Sequence, residues 1–127
     1  MPVYADRECW EFKKQFPGEW KSYGCGPGDG IGDKLIPDTV WGLSIRDACR
    51  IHDWGYRHCV YSSSIDRKRH DKIFLNNMLS IVDENTRWRW LRKLRYRRCK
   101  TYFLAVRAFG ARSYWEARDT VVRPEEI

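Results

Sequence analysis

No stretch of the 127-residue chain approaches the roughly 20 apolar residues that a membrane-spanning helix needs, so no span is expected. There is no Cys-x-x-Cys pair, and the three histidines stand at no zinc-type spacing from the five cysteines, which argues against a structural zinc site. Internal repeats and low-complexity linkers are also missing, which argues against a solenoid and against two tethered domains. No convincing pair of strand segments is visible, so the expected architecture is mainly α-helical. The start, from Met1 to Glu8, has neither the basic opening nor the apolar centre of a secretory leader. The expectation is therefore a leader already removed, or delivery by another route.

What is present fits one compact core, since 127 residues are too few for two ordinary domains. The formal charge of +7 and a pI near 9.3 favour an anionic partner, either a phosphate-rich lipid surface or a nucleic acid. Cys9, Cys25, Cys49, Cys59 and Cys99 are odd in number, so complete pairing leaves at least one thiol over.

Apolar residues at Tyr4, Cys9, Trp10, Phe12 and Phe16 predict a first helix over about 4–16, closed by Pro17-Gly18. Gly24, Gly26, Gly28, Gly30 and Gly32 then occupy every second position, making about 23–38 a loop. Ser44 is placed as an N-cap, and Ile45, Cys49, His52, Tyr56 and Cys59 at helical spacing predict a helix over about 44–61. After Ser62 to Ser64, an apolar stripe of Ile65, Phe74, Leu75, Met78, Leu79 and Val82 predicts a second long helix over about 65–83, returning antiparallel. A last helix over about 87–109 sets Trp88, Leu91, Leu94, Cys99, Tyr102, Val106 and Phe109 against an arginine-rich face. The tail beyond Trp115 reads as frayed.

The chemistry concentrates on the run from Asp47 to Tyr56. His52 and Tyr56 share a helix face, and Asp53 is turned about 100° from it. An imidazole suits proton abstraction near neutral pH when a second group fixes its tautomer. Asp71, early on the returning helix, is the acid that antiparallel pairing brings toward His52. Asp53 is a hard oxygen ligand, and the glycine-rich loop offers unobstructed carbonyls, a combination suited to calcium. A cation there would polarise a substrate carbonyl, helped by a loop N–H, although Pro27 has none to give.

Tyr23-Gly24-Cys25-Gly26-Pro27-Gly28, followed by Cys49-x-x-His52-Asp53-x-x-Tyr56, resembles the calcium loop and catalytic helix of phospholipase A2. The similarity covers roughly Tyr23 to Met78. The His52-Asp53-Trp54-Gly55-Tyr56-Arg57 run and Asp71-x-x-Phe74-Leu75-x-x-Met78 are most similar to the prokaryotic and fungal branch, and Gly26-Pro27-Gly28 is similar to the loop of parvovirus capsid phospholipase domains. The resemblance implies a phospholipase A2-like fold with two long antiparallel helices carrying the site, a calcium-binding loop before them and an added basic C-terminal helix. It implies His52 as general base, Asp71 as its orienting carboxylate and Tyr56 as support of that pair. Asp53 with the carbonyls of Gly24, Gly26 and Gly28 would bind calcium, and the Gly26 N–H would donate to the oxyanion. Cys25 and Cys49 match cysteines bridged in many secreted members. The implied reaction is hydrolysis of the sn-2 acyl ester of glycerophospholipids, and the expected setting is outside the producing cell, reached by secretion or by another delivery, of which a virus particle or a toxin system is one route. The chain departs from the animal secreted enzymes in a longer loop-to-helix spacing, in lacking most of their cysteines and in carrying Asp29 beside the expected ion.

Taken singly, these residues have ordinary readings. Gly26-Pro27-Gly28 is a turn, Tyr56 packs in a core, and Asp71 is an acid near a helix N-terminus. Cys9, Cys59 and Cys99 are small buried residues or partners in unassigned bridges, and His58 and His70 are expected on the surface. The stretch around Trp88, Trp90, Arg92, Arg95 and Arg98 admits three readings: a core helix with a solvated basic face, a dock for an anionic phospholipid bilayer, or a nucleic-acid surface. No base-reading motif supports the last. Two rival functions stand beside the esterase: a phospholipase-like membrane-binding module without turnover, and a basic nucleic-acid-binding protein.

Overall fold

A computed structural model describes residues 3–23, 37–58 and 64–109. Their order is α1 (Arg7–Gln15), α2 (Pro17–Ser22), β1 (Thr39–Val40), β2 (Leu43–Ser44), α3 (Arg46–His58), α4 (Ser64–Asn85) and α5 (Arg89–Phe109). The described residues are mainly helical, as expected. The predicted loop ligands Gly24, Gly26 and Gly28, together with Cys25, Asp29 and Cys59, lie outside them, as does the tail beyond Trp115.

The first helix is shorter than predicted because both of its ends have other work. Tyr4 precedes the helix, and the buried Asn77 side chain clamps its backbone, accepting the Tyr4 N–H at 2.7 Å and donating to the Tyr4 carbonyl at 2.8 Å. Asp6 stands at the N-cap without making a side-chain capping bond; its carboxylate instead accepts two bonds from Arg69, at 2.7 and 3.1 Å. At the far end Phe16 leaves the helical region, and Pro17 opens α2 as well as closing α1. Proline suits a first helical position because the N–H it lacks would have no partner there.

A strand pair, unexpected from the sequence, precedes α3. Thr39 pairs with Ser44 and Val40 with Leu43, around a two-residue turn in which Trp41 and Gly42 have φ of 47° and 78°. Such a primed turn needs positive φ at both central residues, a strained conformation for tryptophan. Two-residue strands are too short to display an alternating pattern. Ser44 therefore belongs to β2; its hydroxyl accepts the Arg46 N–H at 3.3 Å, while the Ile45 carbonyl takes the first helical bond, from Cys49 at 3.1 Å.

Helix α4 packs against α3 and against α5. Its inward stripe runs Arg67, His70, Asp71, Phe74, Asn77, Met78, Ile81 and Val82, an unbroken helical spacing that starts polar and ends apolar. Facing residues fix the directions: His52 meets Asp71 and Tyr56 meets Arg67 across α3 and α4, whereas Asp83 meets Tyr96 and Asp71 meets Arg107 across α4 and α5. Both pairs are antiparallel. His70, expected on the surface, is buried under α3, where a Cβ on Gly55 would come within 2.5 Å of its Nδ1. Gly55 thus sets how closely α3 approaches α4.

Candidate active site around a buried carboxylate

Asp71 is completely buried, and three elements converge on it. From α3, His52 shares a 2.7 Å Nε2–Oδ1 hydrogen bond and the Tyr56 hydroxyl donates to the same oxygen at 2.6 Å. From α5, Arg107 donates to Oδ2 at 2.8 Å. Arg67, one turn earlier on α4, is an ion-pair partner at 3.5 Å. Burial alone would raise the Asp71 carboxyl, but the bonds from His52, Tyr56 and Arg107 outweigh it and hold the group below the usual carboxylate range. An ionised carboxylate only accepts, so His52 Nε2 must carry the proton and donate it. The other ring nitrogen, Nδ1, makes no hydrogen bond among the described residues.

The ring itself is held in place. It packs 4.3 Å from the Tyr56 ring and 4.6 Å from the Phe74 ring, measured between centroids, and the His52 side chain keeps 11% of its surface exposed. Burial, followed by the charge of Asp71, raises the Tyr56 hydroxyl strongly, so it stays protonated and able to donate. The arrangement contains an imidazole oriented by a carboxylate, which is what a general base requires.

Asp53 lies on a different face, at the root of the glycine-rich loop. Its carboxylate accepts a 3.0 Å bond from Arg57, whose guanidinium lies 5.4 Å from the centre of the Tyr23 ring. Arg50 donates to the Tyr23 carbonyl at 3.3 Å, and the Tyr23 hydroxyl and His58 Nε2 are 2.7 Å apart. The other end of the loop is tied to the start of α3, where Asp38 binds the Arg46 side chain at 2.9 Å and the Ile45 N–H at 2.8 Å. Tyr23 and Asp38, on either side of the glycine-rich segment, are thus both tied to the α3 region, and Asp53 is linked to Tyr23 through Arg57. Among the described residues no group of three His, Cys, Asp or Glu side chains is placed to hold a metal.

The residues expected to meet a membrane divide in two. Trp88 and Trp90 are 58% and 63% exposed. Arg92 and Arg95 instead serve the fold: Arg92 donates to the Thr86 carbonyl at 2.9 Å, and Arg95 bridges the Thr86 hydroxyl at 2.8 Å and the Trp41 carbonyl at 3.0 Å. Arg98 lies 5.6 Å over the exposed Trp41 ring. Cys9 and Cys99 are free and buried, and burial pushes both thiols up to about 12, so they are unreactive. Cys49 is buried too and is not one of these free thiols.

Sequence reasoning missed Arg67 and Arg107. Arg67 had a signal, four residues before Asp71 on the same helix face. Arg107 had none, being 36 positions away. No protein-family model matches the chain, and neither does any curated protein or solved structure.

Proposed function

We propose that the protein is a phospholipase A2-like, calcium-dependent hydrolase of the sn-2 acyl ester of glycerophospholipids, working at a membrane surface. The observation that carries this reading is the His52–Asp71 bond of 2.7 Å with Tyr56 on the same carboxylate oxygen. Asp71 fixes the tautomer, and His52 Nδ1 takes a proton from water as the water attacks the ester carbonyl. The same nitrogen then returns the proton to the departing glycerol oxygen, so no acyl-enzyme forms. A calcium ion on Asp53 and the Gly24, Gly26 and Gly28 carbonyls would supply Lewis-acid polarisation of the ester. The Gly26 N–H is the chain's own donor to the oxyanion.

A Cys25–Cys49 bridge would pin that loop to α3. Trp88, Trp90 and Arg98 are the groups proposed to meet an anionic bilayer, since Arg92 and Arg95 are engaged within the fold. The deciding measurement is fatty-acid release from anionic phospholipid vesicles with calcium and with chelator. Release that stops with chelator and falls by about 10³-fold or more in His52→Ala is the expected result. Equal release in that variant removes the mechanism.

A further inference from the structure

We infer that Arg107 is a positioning residue for the His52–Asp71 pair, reaching from the end of α5 to hold one carboxylate oxygen so that the other is aimed at His52. The inference rests on the proposed role of His52 as base. Two guanidiniums stand beside Asp71, and their hydrogen bonds separate their duties. Arg67 spends its donors on the end of α5, giving NH1 to the Val106 carbonyl at 3.1 Å and NH2 to the Arg107 carbonyl at 3.1 Å, with the Tyr56 hydroxyl at 3.4 Å. It fastens the backbone of α5 and stays 3.5 Å from Asp71. Arg107, whose backbone is thus secured, sends NH1 to Oδ2 at 2.8 Å.

The consequence for His52 follows from the geometry of a carboxylate. With Oδ2 held from α5, the carboxylate plane is fixed, and Oδ1 is left to accept from both His52 and Tyr56. Without that hold, a completely buried carboxyl loses the one direct hydrogen bond that an arginine among the described residues gives it. The carboxylate is then free to turn about its own axis, and Oδ1 is no longer held toward Nε2, the contact that orients the ring. The last helix would in this way take part in the site carried by α3 and α4, although Arg107 touches no substrate. Its side chain is 29% exposed, against 10% for Arg67, so its place can be reached from solution.

The test uses the full chain on anionic phospholipid vesicles with calcium. Arg107→Ala is expected to lower kcat about 10- to 100-fold, the effect of one charge-assisted hydrogen bond, with KM changed less than about twofold. Millimolar ethylguanidinium is expected to restore a substantial part of kcat in Arg107→Ala, and to leave the wild type unchanged. A loss that appears in KM, or that ethylguanidinium does not relieve, overturns the inference. If Arg107→Ala does not fold, Arg107→Lys against Arg107→Met decides it: the charged variant is expected to keep the greater kcat, and equal values overturn the inference. A second readout is independent of turnover. The proton shared between His52 and Asp71 is expected to give a downfield proton resonance that shifts in Arg107→Ala while circular dichroism stays constant; an unshifted resonance counts against Arg107. Wild-type protein that releases no fatty acid sinks the proposed function, and the resonance alone then decides the role of Arg107.

Discussion

The two halves of α4's inward stripe are buried to a similar depth and filled with opposite chemistry. Toward the N-terminus it carries Arg67, His70 and Asp71, at 8%, 6% and 0% exposure; toward the C-terminus it carries Phe74, Met78, Ile81 and Val82, none above 6%, with Asn77 the one polar member, spent on the Tyr4 backbone. Apart from Asn77, the second half needs only shape, because apolar groups gain by leaving water whatever they touch. The first half needs partners, since a buried charge without them is costly. Those partners come from both flanking helices: His52 and Tyr56 from α3, and Arg107 from α5. One continuous helix thus anchors a core at one end and a chemical site at the other, and the site end depends on its neighbours far more specifically.

The largest expected effect comes from Asp71→Asn, which keeps the shape and removes the charge. It leaves Arg67 and Arg107 without their anion and sets an amide against several donors, so a loss of about 3–5 kcal/mol is expected in denaturant titrations. This cost carries a pH signature. Because the folded-state carboxyl is lowered, its contribution is present above the unfolded value of about 3.9 and is lost as pH falls through the lower folded value. Wild type and variant should therefore converge in stability in strong acid; a constant gap across pH would separate the site from its charge.

Met78→Ala, in the apolar half, should cost about 2–5 kcal/mol through a cavity and show no such convergence. A pH-dependent loss there would erase the contrast between the halves. Gly55→Ala tests the contact between them and α3. The added methyl collides with the buried His70 ring, so a loss of about 1–3 kcal/mol is expected by thermal melting. Fatty-acid release should fall with it, because the α3 residues that flank Gly55 hold Asp71. Trp90→Ala lies outside both halves, and its stability should change by less than about 0.5 kcal/mol while vesicle binding weakens. Unchanged binding would remove Trp90 from the proposed membrane contact.

The sequence reached the three long helices because their apolar residues keep a 3.6-residue period, and Ser64–Asn85 and Arg89–Phe109 lie within a few residues of expectation. It also singled out His52, Tyr56 and Asp71, which the fold brings together. What escaped has identifiable causes. The hairpin at Trp41-Gly42 has strands too short to show a pattern. Pro17 has the same identity whether it ends one helix or begins the next. His70 and Arg67 continue the inward stripe of α4, but a polar side chain is counted as surface when its buried partners are not yet known.

Sequence by itself determined the helical period, the glycine-rich break before α3 and the residue types from which a base and its acid can be made, because each is a local property of the chain. Only the tertiary structure decided that Asp71 is ionised without solvent, that Arg107 shares it with His52, and that Arg92 and Arg95 serve the fold. Those outcomes depend on which groups meet after distant segments pack. A charge's burial and its partners are properties of that meeting, and no local pattern carries them.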